Sequence, residues 1–458
     1  MPSTPEPQSA PQMSVVHMGL LPALRAMKRD FLSFQKGLFY RHGDAIRLKL
    51  KLVDLLFLNT PEMAHHVLVR NAKNYGKNTR GYDNLRQVLG NGLVTSQGDF
   101  WMRQRRIALP AFHHKRLAIM ADKMVVAAND FAQRWSTQVG DEGMRLEMDE
   151  ELARLTLRII CETMLSVDSE DGSMETVGHS VEVLLDQVLA ETVGLALPRF
   201  IATPGRKRFK QALGELDDIV LGIIEERRKD GEQDHGDLLS MFMAVQDEET
   251  GERMNDVQLR DEIMTMFLAG HETTATALTW TLYLLARHPA ERRLLIKELE
   301  ETLNGEPVTF ADLKRLPRLE RVLKESMRLF PPVPNIARMA EDDDTIDGLS
   351  IKKGDYVIVS PNVLHRHPRY WDNPESFDSD RFLPERIKQV PRLAYIPFSA
   401  GQRMCIGNRF AMMEASLILA TILPRLTFDL VPGHPIAADG KVTLRPRFGM
   451  PMRVRNRR

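Results

Sequence analysis

Apolar residues recur at helical spacing through most of the chain, and apolar and polar residues alternate with period two toward both ends. Residues 44–59, DAIRLKLKLVDLLFLN, alternate like two short strands, and Thr60-Pro61 then indicates a helix start. From there to about Phe330 the pattern is almost wholly helical. After LFPPVP, the stretches TIDGLSIKKGDYVIVSP and VTLRPRFGMPMRV indicate short strands again. The sequence therefore predicts one compact unit, mainly α with a smaller β portion drawn from both ends.

The longest helical stretch begins at Asn255, which is followed by Gln258 in capping-box position, and it ends at His288 before a proline. A helix of this length spans roughly 50 Å at about 1.5 Å per residue. Because it is apolar on most faces, we expect it to cross the middle of the protein.

Residues 263–286 of this helix are also long enough to span a membrane. However, His271 and Glu272 lie near the middle of the segment, and ionisable groups are costly in lipid. We therefore predict a buried core helix and keep a membrane-inserted binding protein as an alternative.

The composition is that of a globular protein, with 43% hydrophobic and 27% charged residues among 458. Lys+Arg and Asp+Glu both number 62, which argues against a nucleic-acid partner. The Pro/Ser-rich residues 1–15 are predicted to be a disordered lead and residues 16–458 the folded domain. The first hundred positions lack a run of about 20 apolar residues, so no transmembrane anchor is expected. The two cysteines, Cys161 and Cys405, predict a reduced, cytoplasmic protein.

Cys405 lies in the stretch FSAGQRMCIG. A single cysteine cannot hold an iron–sulfur cluster, and Cys405 has no Cys or His neighbours at the spacing of zinc ligands. The remaining roles for Cys405 are an inert thiol, a nucleophile or an axial haem ligand. Gly401 and Gly407 allow a tight turn whose main-chain N–H groups point at the sulfur. A helix expected from about Asn408 adds a positive dipole end, and Arg403 can pair with an acidic group.

This pattern, F-x-x-G-x-R-x-C-x-G, resembles the haem-binding loop of the cytochrome P450 family. The matching residues are Phe398, Gly401, Arg403, Cys405 and Gly407. The resemblance implies the cytochrome P450 fold with a long central helix over the haem. It also implies haem b as cofactor, with Cys405 as the axial ligand of its iron.

Within the long helix, AGHETT is similar to the family's A/G-G-x-D/E-T-T. The alanine at position 275 excludes the metalloprotease motif H-E-x-x-H. By resemblance, Gly270 permits a bend over the haem and Thr273 bonds back to a carbonyl. Glu272 and Thr273 would then relay protons to dioxygen.

Further charged residues match the family in its order. Glu325 and Arg328 are similar to its E-x-x-R pair, which in the family meets the arginine of a P-E-R-F segment. In this chain Arg381 matches that arginine, whereas Ser379-Asp380 replaces Pro-Glu. The implied role of this set is structural.

Trp101 and Arg105 match the family's W-x-x-x-R, whose members bond a haem propionate, and Arg338 resembles another propionate partner. Together with Arg403 they would form an anion clamp.

The reaction implied is the insertion of one oxygen atom of O2 into a small apolar substrate, such as a fatty acid, terpenoid or steroid. By resemblance, its pocket takes residues from the region 184–200 and from other stretches of the chain, namely Met266, Ala269, Gly270, Val333, Ile336 and Phe448.

Only 53 residues follow Cys405, so electrons are expected from a separate ferredoxin- or flavodoxin-type donor with its reductase. The basic run RQRR…HHKR, residues 103–116, suits the docking of an acidic partner.

Two alternatives stay open at the level of sequence. Some relatives are haem-thiolate isomerases, dehydratases or peroxygenases, and these often lack the acid–alcohol pair that Glu272 and Thr273 supply. A hydrolase with Cys405 as nucleophile would leave the set of arginines unexplained.

Overall fold

Helices occupy the long middle of the chain and strands lie toward both ends, as the sequence pattern predicts. The computed structural model describes residues 12–50, 53–166, 173–193, 203–231, 233–247, 249, 251–440 and 442–457. The helices are α1 (Leu20–His42), α2 (Pro61–His65), α3 (Arg80–Leu89), α4 (Gly98–Ala108), α5 (His114–Gln138), α6 (Met148–Met164), α7 (Ser173–Val193), α8 (Pro204–Lys229), α9 (Leu238–Ala244), α10 (Asp256–Arg287), α11 (Pro289–Leu303), α12 (Pro317–Leu329), α13 (Pro361–Leu364), α14 (Pro384–Ile387) and α15 (Asn408–Ile422).

The strands confirm the smaller β portion. They are β1 (Met13–His17), β2 (Ala45–Leu50), β3 (Val53–Leu58), β4 (Tyr75–Gly76), β5 (Met144–Glu147), β6 (Ile336–Ala340), β7 (Asp344–Ile346), β8 (Leu349–Ile351), β9 (Tyr356–Val359), β10 (Leu426–Leu430), β11 (Ala438–Gly440), β12 (Leu444–Pro446) and β13 (Pro451–Asn456).

Contacts between residues divide the chain into two units. The sheet unit comprises Met1–Thr79, Pro334–Pro374 and Val390–Met404, and the helical unit comprises Arg80–Val333, Glu375–Gln389 and Cys405–Arg458. We describe each unit by itself.

The sheet unit contains a six-stranded sheet in the order β1-β2-β3-β9-β6-β4. The predicted pair of strands is confirmed, since β2 and β3 are antiparallel and Ala45 faces Leu58. Strand β3 then pairs in parallel with β9, so residues from both ends of the chain share one sheet. Apolar side chains such as Leu48 and Phe57 alternate with polar ones and form the core beneath α1.

The predicted disordered lead, residues 1–15, extends too far. Met13–His17 forms β1 and pairs in parallel with β2, so the boundary at residue 15 falls inside a strand. Residues 1–11 of the lead lie outside the described residues.

The helical unit is organised around α10, whose predicted limits are confirmed. Asn255 is its N-cap, and the capping box with Gln258 is formed in both directions. The helix is buried along most of its length and packs on α6, α8, α12 and α15. In the part of the chain that the structure describes, no helix is long and apolar enough to cross a membrane.

Two small β elements complete the helical unit. Strands β10, β13 and β5 form one antiparallel sheet. Strands β11 and β12 form a hairpin in which Asp439 is paired with Arg445.

Candidate active site

Cys405 belongs to the helical unit, three residues before α15 begins at Asn408. The Gly407 N–H donates to its sulfur, as predicted for a turn that places main-chain donors around a thiolate. The residue as a whole is exposed, yet protein atoms crowd the sulfur, and this burial raises the pKa of the Cys405 thiol. The Gly407 N–H and the charge of Arg105 act in the opposite direction.

Arg105 and Trp101 lie one turn apart on α4, on the same face. The Arg105 guanidinium carbon is 5.6 Å from the centroid of the Trp101 ring, which is 6% exposed. Burial lowers the pKa of Arg105, and the nearby Cys405 opposes this shift. The structure therefore brings Trp101, Arg105 and Cys405 together. The contact of Trp101 and Arg105 with a propionate stays a prediction.

The remaining residues of the predicted haem site belong to the sheet unit. Gly401 has a φ of +69°, and a Cβ there would lie 2.1 Å from the carbonyl oxygen of Leu68, so only glycine fits. Arg338 is buried on β6 and donates to the carbonyl of Ala337 at 2.8 Å. Phe398 and Arg403 are half-buried. The roles of these four residues at a haem stay predictions.

The donor set fits a haem held by one thiolate. Among the described residues, no group of three or more His, Cys, Asp or Glu side chains could hold a metal ion, which leaves Cys405 as a single ligand. Its sulfur accepts a hydrogen bond from a backbone N–H, but burial favours the neutral thiol unless a cation is bound. A coordinated metal supplies that charge and deprotonates a thiol outright. Cys405 would therefore hold the iron, and haem is the group that needs only one such ligand.

Glu272 and Thr273 lie on α10, which runs unbroken through this region. The Thr273 hydroxyl donates to the carbonyl of Ala269 at 2.6 Å, as predicted. Thr156 of α6 donates to the carbonyl of His271 at 2.9 Å and so adds a bond from outside the helix. Burial lowers the pKa of His271, whose ring is therefore neutral.

Gly270 lies at the contact between α10 and α6, and the predicted bend over the haem stays a prediction. A Cβ at Gly270 would lie 2.6 Å from Cδ1 of Ile160 on α6. The glycine therefore lets α6 approach α10 closely.

Two partners of Glu272 were missed by sequence reasoning. Thr443 and Arg445 both donate to Oε1 of Glu272. Glu272, whose side chain is 8% exposed, therefore forms an ion pair with Arg445, whose side chain is 29% exposed. VTLRP predicts a strand, but a sequence carries no signal that this strand meets a helix residue more than 170 positions earlier.

Glu414 was also missed, although a charged residue inside the apolar stretch RFAMMEASLILATIL was a visible signal. Its side chain is fully buried on α15, and both carboxyl oxygens lack a hydrogen-bond partner. Burial raises its pKa to about 8, while the neighbouring Thr274 of α10 opposes the shift. Glu414 is thus protonated at neutral pH.

The predicted charged set around Glu325 is formed. Arg328 donates to both Glu325 oxygens at 2.6 and 2.8 Å, and Arg381 lies 3.3 Å from Oε1. Ser379, which replaces the family's proline, donates to Glu291 at 2.7 Å. Its hydroxyl therefore ties the segment to α11, a contact that proline could not make.

The predicted substrate-pocket residues are not all brought to one face. Ala269 is exposed, whereas Met266 is buried and lines a small apolar cavity between α6, α9 and α10. The Gly270 position lies against α6, and the assignment of Met266 and Gly270 to the substrate pocket stays a prediction. Val333 and Phe448 are exposed in the helical unit.

The rest of the pocket prediction stays a prediction. Ile336 is 8% exposed in the sheet unit. Residues 194–202, which include the end of the 184–200 region, lie outside the described residues.

Three arginines of the basic run at residues 103–116 are paired within the chain, and the docking of an acidic partner on this run stays a prediction. Arg103 pairs with Glu252, and Arg106 pairs with Asp247 at 3.1 Å. Arg116 pairs with Asp234 at 3.2 Å. Acidic residues that follow α8 and α9 thus neutralise much of the run.

Comparisons with known proteins agree with this site. A family model described as Cytochrome P450 matches residues 9–448. "Cyclooctat-9-en-7-ol 5-monooxygenase" of Streptomyces melanosporofaciens is 32% identical, over 94% of each chain. "Pentalenene oxygenase" of Streptomyces avermitilis is 32% identical, over 89% of this chain and 88% of that one. A solved structure, "Crystal structure of cytochrome P450DA heme domain", superposes with a TM-score of 0.83 at 28% identity, covering 93% of this chain and 92% of that one.

Proposed function

Since this chain belongs to the cytochrome P450 family and is a haem b monooxygenase, we propose that it hydroxylates a terpenoid substrate with electrons from a separate redox partner. When bound, haem supplies the oxygen chemistry that transfers one atom of O2 to the substrate. The residues of the chain hold the group, exclude water and move protons.

The proton-handling residues are the buried carboxyl of Glu272 and the hydroxyl of Thr273. We infer that the Glu272 carboxyl and the Thr273 hydroxyl relay protons in this site, as a general acid does. The bond from Thr273 to Ala269 orients that hydroxyl. Cys405 would hold the iron, with Arg105 and Trp101 beside it.

The substrate class rests on the relatives. Two bacterial enzymes whose names denote oxidation of terpenoids match this chain along most of its length. The exposed side chains of Ala269, Val333 and Phe448 are apolar, which suits such a substrate. Fatty acids and steroids are the competing classes.

We also propose a ferredoxin- or flavodoxin-type donor with its own reductase. The pairing of Arg103, Arg106 and Arg116 within the chain means that the donor does not meet them as free charges. The cytoplasmic location stays a prediction.

The first test is the difference spectrum of the dithionite-reduced protein on adding carbon monoxide, compared among three proteins. Wild type and Cys161→Ser should show the strongly red-shifted Soret band of a thiolate ligand, because Cys161 is buried elsewhere on α6. Cys405→Ser should lose that band. A red-shifted band that survives Cys405→Ser would overturn the assignment of the ligand.

The second test addresses the substrate. Wild type is titrated with a cyclic terpene alcohol, a fatty acid and a steroid, and the shift of the Soret band is recorded for each. Turnover is then followed with ferredoxin, its reductase and NADPH. We expect saturable shifts and a hydroxylated product with the terpene alcohol. Product from the fatty acid or the steroid alone would refute the proposed class.

A further inference from the structure

The sheet unit contains an open cavity of about 350 Å³ that the proposed function does not use. A volume of this size is typical of sites that bind small molecules. One wall is formed by α2 and the turn that follows it, and the other walls are formed by the turn between β7 and β8 and by residues 391–393. All of these segments belong to the same unit, so the cavity is formed within it.

The turn after α2 has an unusual hydrogen bond. The Asn71 N–H donates to the carbonyl of His66 at 2.8 Å, and this bond spans five residues instead of the four of an α-helix. Such wide turns are rare and occur frequently at functional sites. His66 begins this turn and Arg70 ends it, and both residues line the cavity.

His66 is held in place by Asp344. The Nε2 atom of His66 lies 2.7 Å from Oδ2 of Asp344. The same oxygen accepts from the Tyr75 hydroxyl at 2.7 Å and from Nδ2 of Asn71 at 3.0 Å. Burial raises the pKa of Asp344, but these hydrogen bonds outweigh it and lower the pKa to about 2. An ionised carboxylate can only accept, so Nε2 of His66 carries the hydrogen, and this wall of the cavity is pre-formed.

Charged side chains of both signs line the cavity. Among the residues that the structure describes, Arg70, Arg392 and Asp347 make no ion pair, and all three are exposed. Glu62 accepts a hydrogen bond from the Tyr370 hydroxyl at 3.4 Å but pairs with no described cation. Two guanidinium groups and two carboxylates are therefore available to a ligand.

The rest of the lining narrows the chemistry of that ligand. It includes the apolar side chains of Pro61, Ile346 and Leu393, which favour contact with an apolar group. The two carboxylates would repel a simple anion, and the two guanidinium groups would repel a simple cation. A ligand that carries both charges can pair with all four groups.

We propose that this cavity binds a small zwitterion with an apolar side chain, of the class of the free α-amino acids. Arg70 and Arg392 would hold the carboxylate, because the planar guanidinium group matches the geometry of a carboxylate. Glu62 and Asp347 would hold the ammonium group. The site requires no haem chemistry, so this inference goes beyond the proposed function and stands or falls separately from it.

Equilibrium dialysis of the haem-containing protein against labelled L-phenylalanine measures the binding, and the Soret band is recorded in the same samples. We expect saturable binding without a shift of the Soret band, because residues other than Cys405 line the cavity. Phenylethylamine carries only the ammonium group and phenylpropionate only the carboxylate. Each should compete at least tenfold more weakly than unlabelled L-phenylalanine. Equal competition by either analogue, a Soret shift that follows the binding, or absence of saturable binding would overturn the proposal.

Variants at exposed positions test the two halves of the site. Arg70→Gln and Arg392→Gln should each weaken the binding of L-phenylalanine at least tenfold. Asp347→Asn should weaken it several-fold and keep the backbone conformation, because asparagine tolerates the φ of +49° at this position. Arg25→Gln, an exposed change on α1 outside the cavity, is the control and should bind as wild type does. The unfolding midpoint of each variant shows that it is folded. Wild-type affinity in folded Arg70→Gln and Arg392→Gln would refute the site.

Discussion

At Gly401 the backbone conformation and a neighbouring carbonyl both require glycine. Its φ is +69°, and the carbonyl oxygen of Leu68 would lie 2.1 Å from a Cβ. Gly354 of the same unit has a φ of +84°, but no atom lies within 4 Å of its Cβ position. Substitution of either glycine carries the same conformational cost, but only at Gly401 would the new Cβ also clash with a neighbouring atom.

We expect Gly354→Ala to lower the free energy of unfolding by about 1–2 kcal/mol, the cost of a left-handed conformation for an L-residue. Gly401→Ala should cost clearly more, because a backbone carbonyl cannot turn aside as the end of a side chain can. Thermal unfolding followed by circular dichroism compares the two variants. Equal midpoints would contradict the importance of the Leu68 contact.

Glu325 and Asp380 allow a comparison of two carboxylates that both face arginines. Glu325 and Arg328 are fully buried, whereas the Asp380 side chain is 45% exposed and lies 3.6 Å from Arg321. Changing Glu325 to Gln leaves buried guanidinium charge unpaired, so we expect a loss of about 3–5 kcal/mol.

Asp380→Asn is the control, and it should cost less than about 1 kcal/mol because the Asp380 side chain is 45% exposed to water. The yield of folded protein and the unfolding midpoint measure both variants. If Glu325→Gln were as stable as Asp380→Asn, the structural role assigned to this set would be wrong.

Helices α6 and α10 pack closely at Gly270. A Cβ there would lie 2.6 Å from Cδ1 of Ile160 and 3.3 Å from its Cγ1. In a helix interior, alanine is normally better than glycine by about 1 kcal/mol. Here the added methyl group must push Ile160 aside, and overpacking costs about 1–3 kcal/mol.

We therefore expect Gly270→Ala to be destabilising, and we expect Ile160→Val to relieve it, because valine lacks the Cδ1 atom. Ile160→Val alone should cost about 0.5–1.5 kcal/mol. In the Gly270→Ala background it should cost less or become stabilising, with a coupling of about 0.5–3 kcal/mol. A double-mutant cycle from urea unfolding measures this coupling. Strict additivity of the two changes would show that the helices do not meet through these atoms.

The elements themselves could be predicted because their signals are local. The capping box of α10 lies within four residues, and the alternation of β2 and β3 lies within sixteen. The bond from Thr443 to Glu272 joins residues 171 positions apart, and no local pattern specifies it. The contact of Gly270 with Ile160 likewise depends on how two helices pack, and no local pattern specifies it.

At the scale of the whole molecule, two buried carboxyls of the helical unit have pKa values raised to about 8. Burial raises the pKa of Glu414 to about 8, and it raises that of Glu262, which accepts from the Leu93 N–H at 3.1 Å, also to about 8. Unfolded glutamate has a pKa of about 4.3. Between these values the folded protein holds a proton that the unfolded chain releases.

The free energy of unfolding should therefore fall as pH rises from about 4.3 to about 8, by about 1.4 kcal/mol per pH unit for each group, and then level off. Their stabilising contribution is complete below the lower value and lost above the upper one.

Glu414→Gln and Glu262→Gln cannot ionise, so each should flatten the decline of the unfolding midpoint between pH 6 and pH 9. The unfolding midpoint of each variant, relative to that of wild type, should be highest at the alkaline end of this range. Glu301→Gln, an exposed change on α11 where the carboxylate pairs with Lys297, is the control and should run parallel to wild type. Curves for Glu414→Gln and Glu262→Gln that also run parallel to wild type would show that neither carboxyl is protonated in the folded protein.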